Sequence, residues 1–156
     1  MDIERVLIFL RELWNQKVDY VLVGAVGLIV HGIVRATQDV DIFLEPEEEN
    51  ISRMKAALKC IFPEDSSIDE INAADLAGDY PVIRYNSPDG SLQIDILSRL
   101  GQAFLFANIQ FEERLYEGVP VRVATPEMLY RMKKDTIRLR DRADAEDLKE
   151  LFDIKD

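Results

Sequence analysis

The chain has 156 residues, 47% of them hydrophobic and 31% charged, and carries a net charge of −11. This composition suits one domain, residues 1–156, built around one core, and excludes a disordered chain or one embedded in a membrane. The acidic balance argues against broad, non-specific nucleic-acid binding, which needs positive potential over the phosphates, but leaves room for a local basic patch. No apolar run reaches transmembrane length, and no basic segment precedes an apolar one at the N-terminus. A cytoplasmic protein with no membrane partner is the default expectation. Cys60 is the only cysteine, so neither an internal disulfide nor a cysteine-held zinc is available; it falls in an apolar helical stretch and reads as an inert core thiol.

In chain order, Ile3, Val6, Leu7, Leu10, Leu13 and Trp14 recur at helical spacing and predict a helix over 2–15 packed on a sheet, with Trp14 in the core or at its rim. Residues 18–23 read as the first strand. Gly24 breaks it, and the run Ala25–Val30, apolar all round, predicts a buried helix closed by His31-Gly32. His31, the only histidine, reads as a capping or core hydrogen-bonding group. A loop holding Arg35 and Thr37 then leads into Asp39-Val40-Asp41-Ile42. A strand sends alternate side chains to opposite faces, so Asp39 and Asp41 share one face while Val40 and Ile42 take the other. Their β-carbons lie roughly 6.5–7 Å apart, close enough for two short arms to converge on one divalent cation. Two acids on one face also repel, which calls for a cation or an Arg or Lys partner.

Pro46 and the acidic run Glu47-Glu48-Glu49 start a further helix, with Ile51, Met54, Leu58 and Ile61 as its inner stripe. Residues 63–78 are polar, with a short helix over Asn72 to Leu76. Tyr80–Tyr85 and Leu92–Leu97 read as a hairpin around Ser87-Pro88-Asp89-Gly90. Asp95 interrupts the second of these strands; a carboxylate there is costly to bury unless metal-bound or paired, Arg84 being the available partner. Residues 100–110 predict an apolar helix, and Phe111–Tyr116 with Val119–Ala124 two more strands around Glu117-Gly118. Thr125-Pro126-Glu127 opens a helix to about Leu139, followed by another from about Asp141 to Phe152. These last helices carry the main basic cluster, Arg131, Lys133, Lys134, Arg138, Arg140 and Arg142. Strands and helices alternating at both ends, with a hairpin between, predict an α/β (α+β) domain: a small mixed sheet flanked by helices.

Val23-Gly24-Ala25 followed by Asp39-Val40-Asp41-Ile42 resembles the signature of the polymerase-β-like nucleotidyltransferase superfamily: an apolar residue, Gly, then Gly or Ser, and after a spacer two acids separated by an apolar residue. The spacer, Val26 to Gln38, falls at the superfamily's upper limit, and Ala25 departs from Gly or Ser. His31-Gly32 with Arg35 and Thr37 looks like the bacterial branch that includes the AbiEii-type toxins. Lys133 … Arg138-Leu139-Arg140-Asp141 resembles that branch's C-terminal motif. The resemblance implies the nucleotidyltransferase fold, with Asp39, Asp41 and Asp95 as catalytic carboxylates holding Mg²⁺ or Mn²⁺. It implies Gly24, Ala25, Arg35, Thr37 and Lys133 on the phosphate side of a nucleoside triphosphate. Arg140, Asp141 and Asp144 read as structural pairs tying the last two helices. The expected reaction moves a nucleoside monophosphate to a hydroxyl on RNA, a protein or a small molecule. A catalytically silent binding module or toxin–antitoxin component is the alternative, favoured by Ala25. A metal-dependent phosphohydrolase is a third, though the extra histidines such sites use are missing. Oligomeric state is not legible.

Overall fold

The computed structural model describes residues 1–136 and 138–155. Helix α1 (Ile3–Asn15) starts at Asp2, whose carboxylate accepts a hydrogen bond from Arg5 N at 3.1 Å, and buries Val6, Phe9, Leu10 and Leu13 while Trp14 stays at the rim. Strand β1 (Tyr20–Val23) runs directly into helix α2 (Gly24–Val30). Strand β2 (Val40–Leu44) and helix α3 (Glu48–Ile61) follow, then β3 (Val82–Asn86) and β4 (Gln93–Leu97). After a small two-stranded ladder, β5 (Arg99–Leu100) with β6 (Phe104–Leu105), come β7 (Phe111–Tyr116) and β8 (Val119–Ala124). Helices α4 (Pro126–Lys133) and α5 (Leu139–Phe152) close the chain.

Six strands form one mixed sheet in the order β3-β4-β2-β1-β8-β7. Strand β2 is antiparallel to β1 and parallel to β4, and β8 is parallel to β1. Strand alternation then divides the apolar side chains between two layers. Leu22, Ile42, Ile94, Ile96, Val121 and Val123 pack with α1 and α3. Val21, Val23 and Phe43 take the opposite face with Leu28 of α2, Met128 and Leu129 of α4 and Leu148 of α5. Each such side chain contributes about 1.5–3 kcal/mol when taken fully out of water, so both layers are strongly determined. The second layer is the one that matters for function, because Asp41 shares its face with Phe43.

Two stretches differ from the sequence expectation, and a third, 63–78, keeps its expected short helix as a 3₁₀ turn and gains another. Residues 63–78 form two short 3₁₀ turns, Ser66–Glu70 and Ala73–Leu76, anchored by buried Ile68, Ile71 and Leu76. Lys55 stitches them to α3, its ammonium donating to the carbonyls of Asp69 and Ile71 at 3.2 and 2.8 Å. The helix expected over 100–110 is absent: Gly101, at φ +58°, turns β5 into β6, and a single turn, Phe106–Asn108, follows. Helix α4 stops at Lys133 instead of reaching Leu139; Ile137, within that expected span, lies outside the described residues. Cys60 is exposed and not a core thiol. It sits two residues past Leu58, nearly opposite the inner stripe of α3 at about 100° per residue.

Candidate active site

The register of the sheet builds the site. Asp41 of β2 pairs with Val23 on one side and with Asp95 of β4 on the other, and Asp95 pairs in turn with Arg84 of β3. Residues directly opposite in neighbouring strands point to the same face, so Asp41, Asp95 and Arg84 form one cross-strand row, with Asp39 two residues before Asp41 on the same side. Thr37 shapes the entry to β2: its hydroxyl donates to the Asp39 carbonyl at 3.1 Å and accepts from Asp39 N at 3.3 Å.

Gly24 lies where β1 meets α2, beside the Asp41 carboxylate. It has φ +66°, and a Cβ there would collide with the carboxylate oxygen of Asp41. Glycine is required for both reasons: L-residues are strained at this φ, and the carboxylate occupies the space a side chain would fill. Gly24→Ala is expected to cost at least about 1–2 kcal/mol in denaturant unfolding and to push Asp41 out of line; unchanged stability would show that this junction relaxes freely.

All eight candidate residues, Gly24, Ala25, Arg35, Thr37, Asp39, Asp41, Asp95 and Lys133, line a single cavity of ≈ 220 Å³. The structure adds Arg84, Arg138, Arg140 and Asp141 to its walls. Next to it lies an apolar recess of ≈ 180 Å³ walled by Val23, Phe43, Leu97, Leu100, Leu129 and Met132, which shares Gly24, Asp41, Lys133 and Asp141 with the first cavity. His31 takes no part in either. Its Nε2 donates to the Ala124 carbonyl at 2.8 Å and its ring meets Phe152 edge-on at 5.7 Å, a core role.

Two of the cations are held by carboxylates of α5. Arg35 makes a forked pair with Asp144, Nε and Nη2 donating at 2.8 and 3.3 Å. Lys133, 9% exposed, donates to Asp144 at 3.0 Å and to Asp141 at 3.3 Å. Asp144 therefore joins the loop before β2 to α4 through α5, and Asp141 reinforces the joint. Arg140, expected to share in these pairs, lines the cavity from an exposed position.

The carboxylates are under electrostatic stress. Burial, and then the charges of Asp95 and Asp39, push Asp41 up to about 6. Arg84 answers part of this excess: Nε and Nη2 donate to the two Asp95 oxygens at 2.8 and 3.0 Å, and Nη2 stands 3.7 Å from Asp39. As the side chains stand, no group of three His, Cys, Asp or Glu among the described residues is arranged to hold a metal. The donor set nevertheless fits a hard divalent cation: three carboxylates in one cavity, with a guanidinium bridging two of them as a stand-in cation. Arg84 is the partner the sequence offered Asp95, and the register explains the pair: the antiparallel alignment that sets Asn86 opposite Gln93 also sets Arg84 opposite Asp95.

Solved structures share this architecture. A nucleotidyltransferase-like antigen of Paracoccidioides brasiliensis aligns at TM-score 0.56 and 18% identity over 96% of this chain and 76% of its own. TM1012 of Thermotoga maritima, a candidate nucleotidyltransferase, aligns at 0.55 and 14% over 97% and 91%. JHP933 of Helicobacter pylori aligns at 0.52 and 18% over 96% and 65%. A comparison with curated protein sequences found no match. The fold is thus that of the nucleotidyltransferases, in line with the polymerase-β-like superfamily. Residues 9–155 match the family described as "Nucleotidyl transferase AbiEii toxin, Type IV TA system", and the chain belongs to this AbiEii family.

Proposed function

We propose that the protein is a metal-dependent nucleotidyltransferase that moves a nucleoside monophosphate from a nucleoside triphosphate to an acceptor hydroxyl on RNA, a protein or a small molecule. The single observation that carries this reading is the row Asp41–Asp95, with Asp39 beside it, opening into a cavity that five cationic side chains also line. Asp39 and Asp41 would hold one divalent ion, Mg²⁺ or Mn²⁺, and Asp95 would share a second. Such ions would neutralise charge on the α-phosphoryl group and acidify the acceptor hydroxyl.

The chain's own residues would do the rest. Arg35 and Lys133, with Thr37, would meet the phosphates from the lining they share with the acids. Gly24 and Ala25 let the backbone come close to the triphosphate because neither carries a bulky side chain. The apolar recess beside Gly24 suits the nucleobase. Asp95 would take the proton of the acceptor hydroxyl. The acceptor oxygen bonds to the α-phosphorus, the bond from that phosphorus to its bridging oxygen breaks, and pyrophosphate leaves. Little covalent chemistry is asked of the protein, so positioning and charge carry the rate. The family description, a toxin of a type IV TA system, supports a toxin–antitoxin setting, where transfer to a cellular hydroxyl would be the harmful act.

Ala25 favours a second reading, a catalytically silent nucleotidyltransferase-fold binding module or toxin–antitoxin component whose nucleotide site is disabled. Against it, the methyl group of Ala25 is small, and a lost hydroxyl contact costs about 1 kcal/mol, or roughly tenfold or less in affinity. Calorimetry with Mn²⁺ and a non-hydrolysable triphosphate analogue separates the two. Wild type is expected to bind, and Ala25→Ser to change affinity by less than about tenfold. Binding by the Ser variant with none by wild type would mark a disabled site.

A further inference from the structure

We propose that Arg84 is a resident counter-cation of the carboxylate row, which releases Asp95 when divalent metal binds and then engages the triphosphate. The inference rests on the metal-dependent reading above and adds a role for a residue outside the set the family resemblance names.

The geometry distinguishes Arg84 from the other cations of the cavity. Arg35 and Lys133 are held by Asp144 and Asp141 at sites whose side chains are at most 15% exposed. Those pairs join separate segments of the chain through Asp144, which both cations share, so moving either one would loosen a buried network. Among the described residues, Arg84 shares Asp95 with no other cation, so its departure would strand that carboxylate, 15% exposed, unless a metal ion took its place. The Arg84 side chain is 55% exposed and lies on the edge strand of the sheet, and Asp95 and Asp39 are what hold it over the row. A rotamer change would carry its guanidinium away from the carboxylates while leaving it at the cavity mouth.

Charge gives the direction. Three carboxylates against one guanidinium leave the row negative, so the forked Arg84–Asp95 bond offsets repulsion while no metal is bound. A divalent ion on Asp95 would compete for the same two oxygens and repel the guanidinium. A triphosphate arriving with the metal would then offer Arg84 new anionic oxygens in a geometry its fork matches. Arg84 should therefore oppose metal binding in the absence of nucleotide and favour nucleotide binding in the presence of metal.

These opposite signs set the test. Mn²⁺ binding to the full chain is measured by calorimetry for wild type, Arg84→Ala and Arg84→Gln, first alone and then at saturating Mn²⁺ with a non-hydrolysable triphosphate analogue. Both variants should bind Mn²⁺ about three- to tenfold more tightly than wild type and the analogue about tenfold more weakly. Arg84→Gln retains the stem and a donor, which guards against a folding defect of the alanine variant. Metal binding that is unchanged or weaker in both variants would overturn the proposal and make Arg84 a fixed support for Asp95. Tighter metal binding with unchanged analogue binding would overturn its second half. Absence of Mn²⁺ binding in wild type would overturn the proposed function itself, a different failure from either of these.

Discussion

Asp41→Asn is expected to weaken Mn²⁺ binding at least a hundredfold and nucleotidyl transfer by on the order of a thousandfold, while leaving the metal-free protein more stable than wild type at neutral pH. The two effects share a cause. Asp41 is half-buried between Asp39 and Asp95, and this setting lifts its carboxyl from the ordinary 3.8 to about 6. Between about pH 4 and pH 6 the folded protein holds this proton while the unfolded chain has released it. The contribution of Asp41 to stability is therefore fully present below the window and is lost as pH rises through it, an effect of roughly 2–3 kcal/mol. Asparagine does not titrate. The stability gained by Asp41→Asn should thus be small near pH 4 and complete above about pH 6, in denaturant unfolding with chelator present. A gain that does not vary with pH would show that the repulsion is relieved some other way. Strain of this kind, kept at the expense of stability, is what the proposed metal site would entail.

Lys133→Ala is expected to destabilise the fold by about 2–3 kcal/mol, the cost of removing charge-assisted hydrogen bonds from a buried network that keeps Arg35 on Asp144 and Thr136 and Arg138 on Asp141. Lys133 bonds both Asp141 and Asp144, and Asp144 also holds Arg35, so one truncation loosens α4, α5 and the loop that delivers Asp39. The neighbouring Lys134 is exposed and lies 5.8 Å from the Tyr130 ring, a contact worth about 0.5–1 kcal/mol at the surface. Lys134→Ala should therefore fall within about 1 kcal/mol of wild type and retain triphosphate binding, whereas Lys133→Ala should lose both stability and binding. Equal behaviour of the two variants in thermal unfolding would contradict the buried network.

What could be read in the sequence was local. Alternation alone put Asp39 and Asp41 on one face, and the Ser87-Pro88-Asp89-Gly90 turn announced the β3–β4 hairpin. Thr125-Pro126 marked the start of α4, where the Thr125 hydroxyl accepts from Met128 N at 3.1 Å. What escaped depended on contacts between distant segments. Arg35 and Asp144 are 109 positions apart, and nothing in either stretch says that they pair. The parallel alignment of β2 with β4 sets Asp41 beside Asp95, and no turn connects those strands to reveal the register. Residues 100–110 misled because their apolar spacing suits a helix, while Gly101 permits the sharper turn and Phe104 and Phe106 find cover against the second core layer.

The most direct measurement supplies the wild-type protein with Mg²⁺, RNA and cell lysate, and triphosphates labelled either at the α- or at the γ-phosphate. Nucleotidyl transfer predicts label in an acceptor from the α-labelled triphosphate alone, with the γ-label leaving in pyrophosphate, and loss of both signals in Asp41→Asn. Label entering an acceptor from the γ-position, or release of inorganic phosphate in place of pyrophosphate, would contradict it.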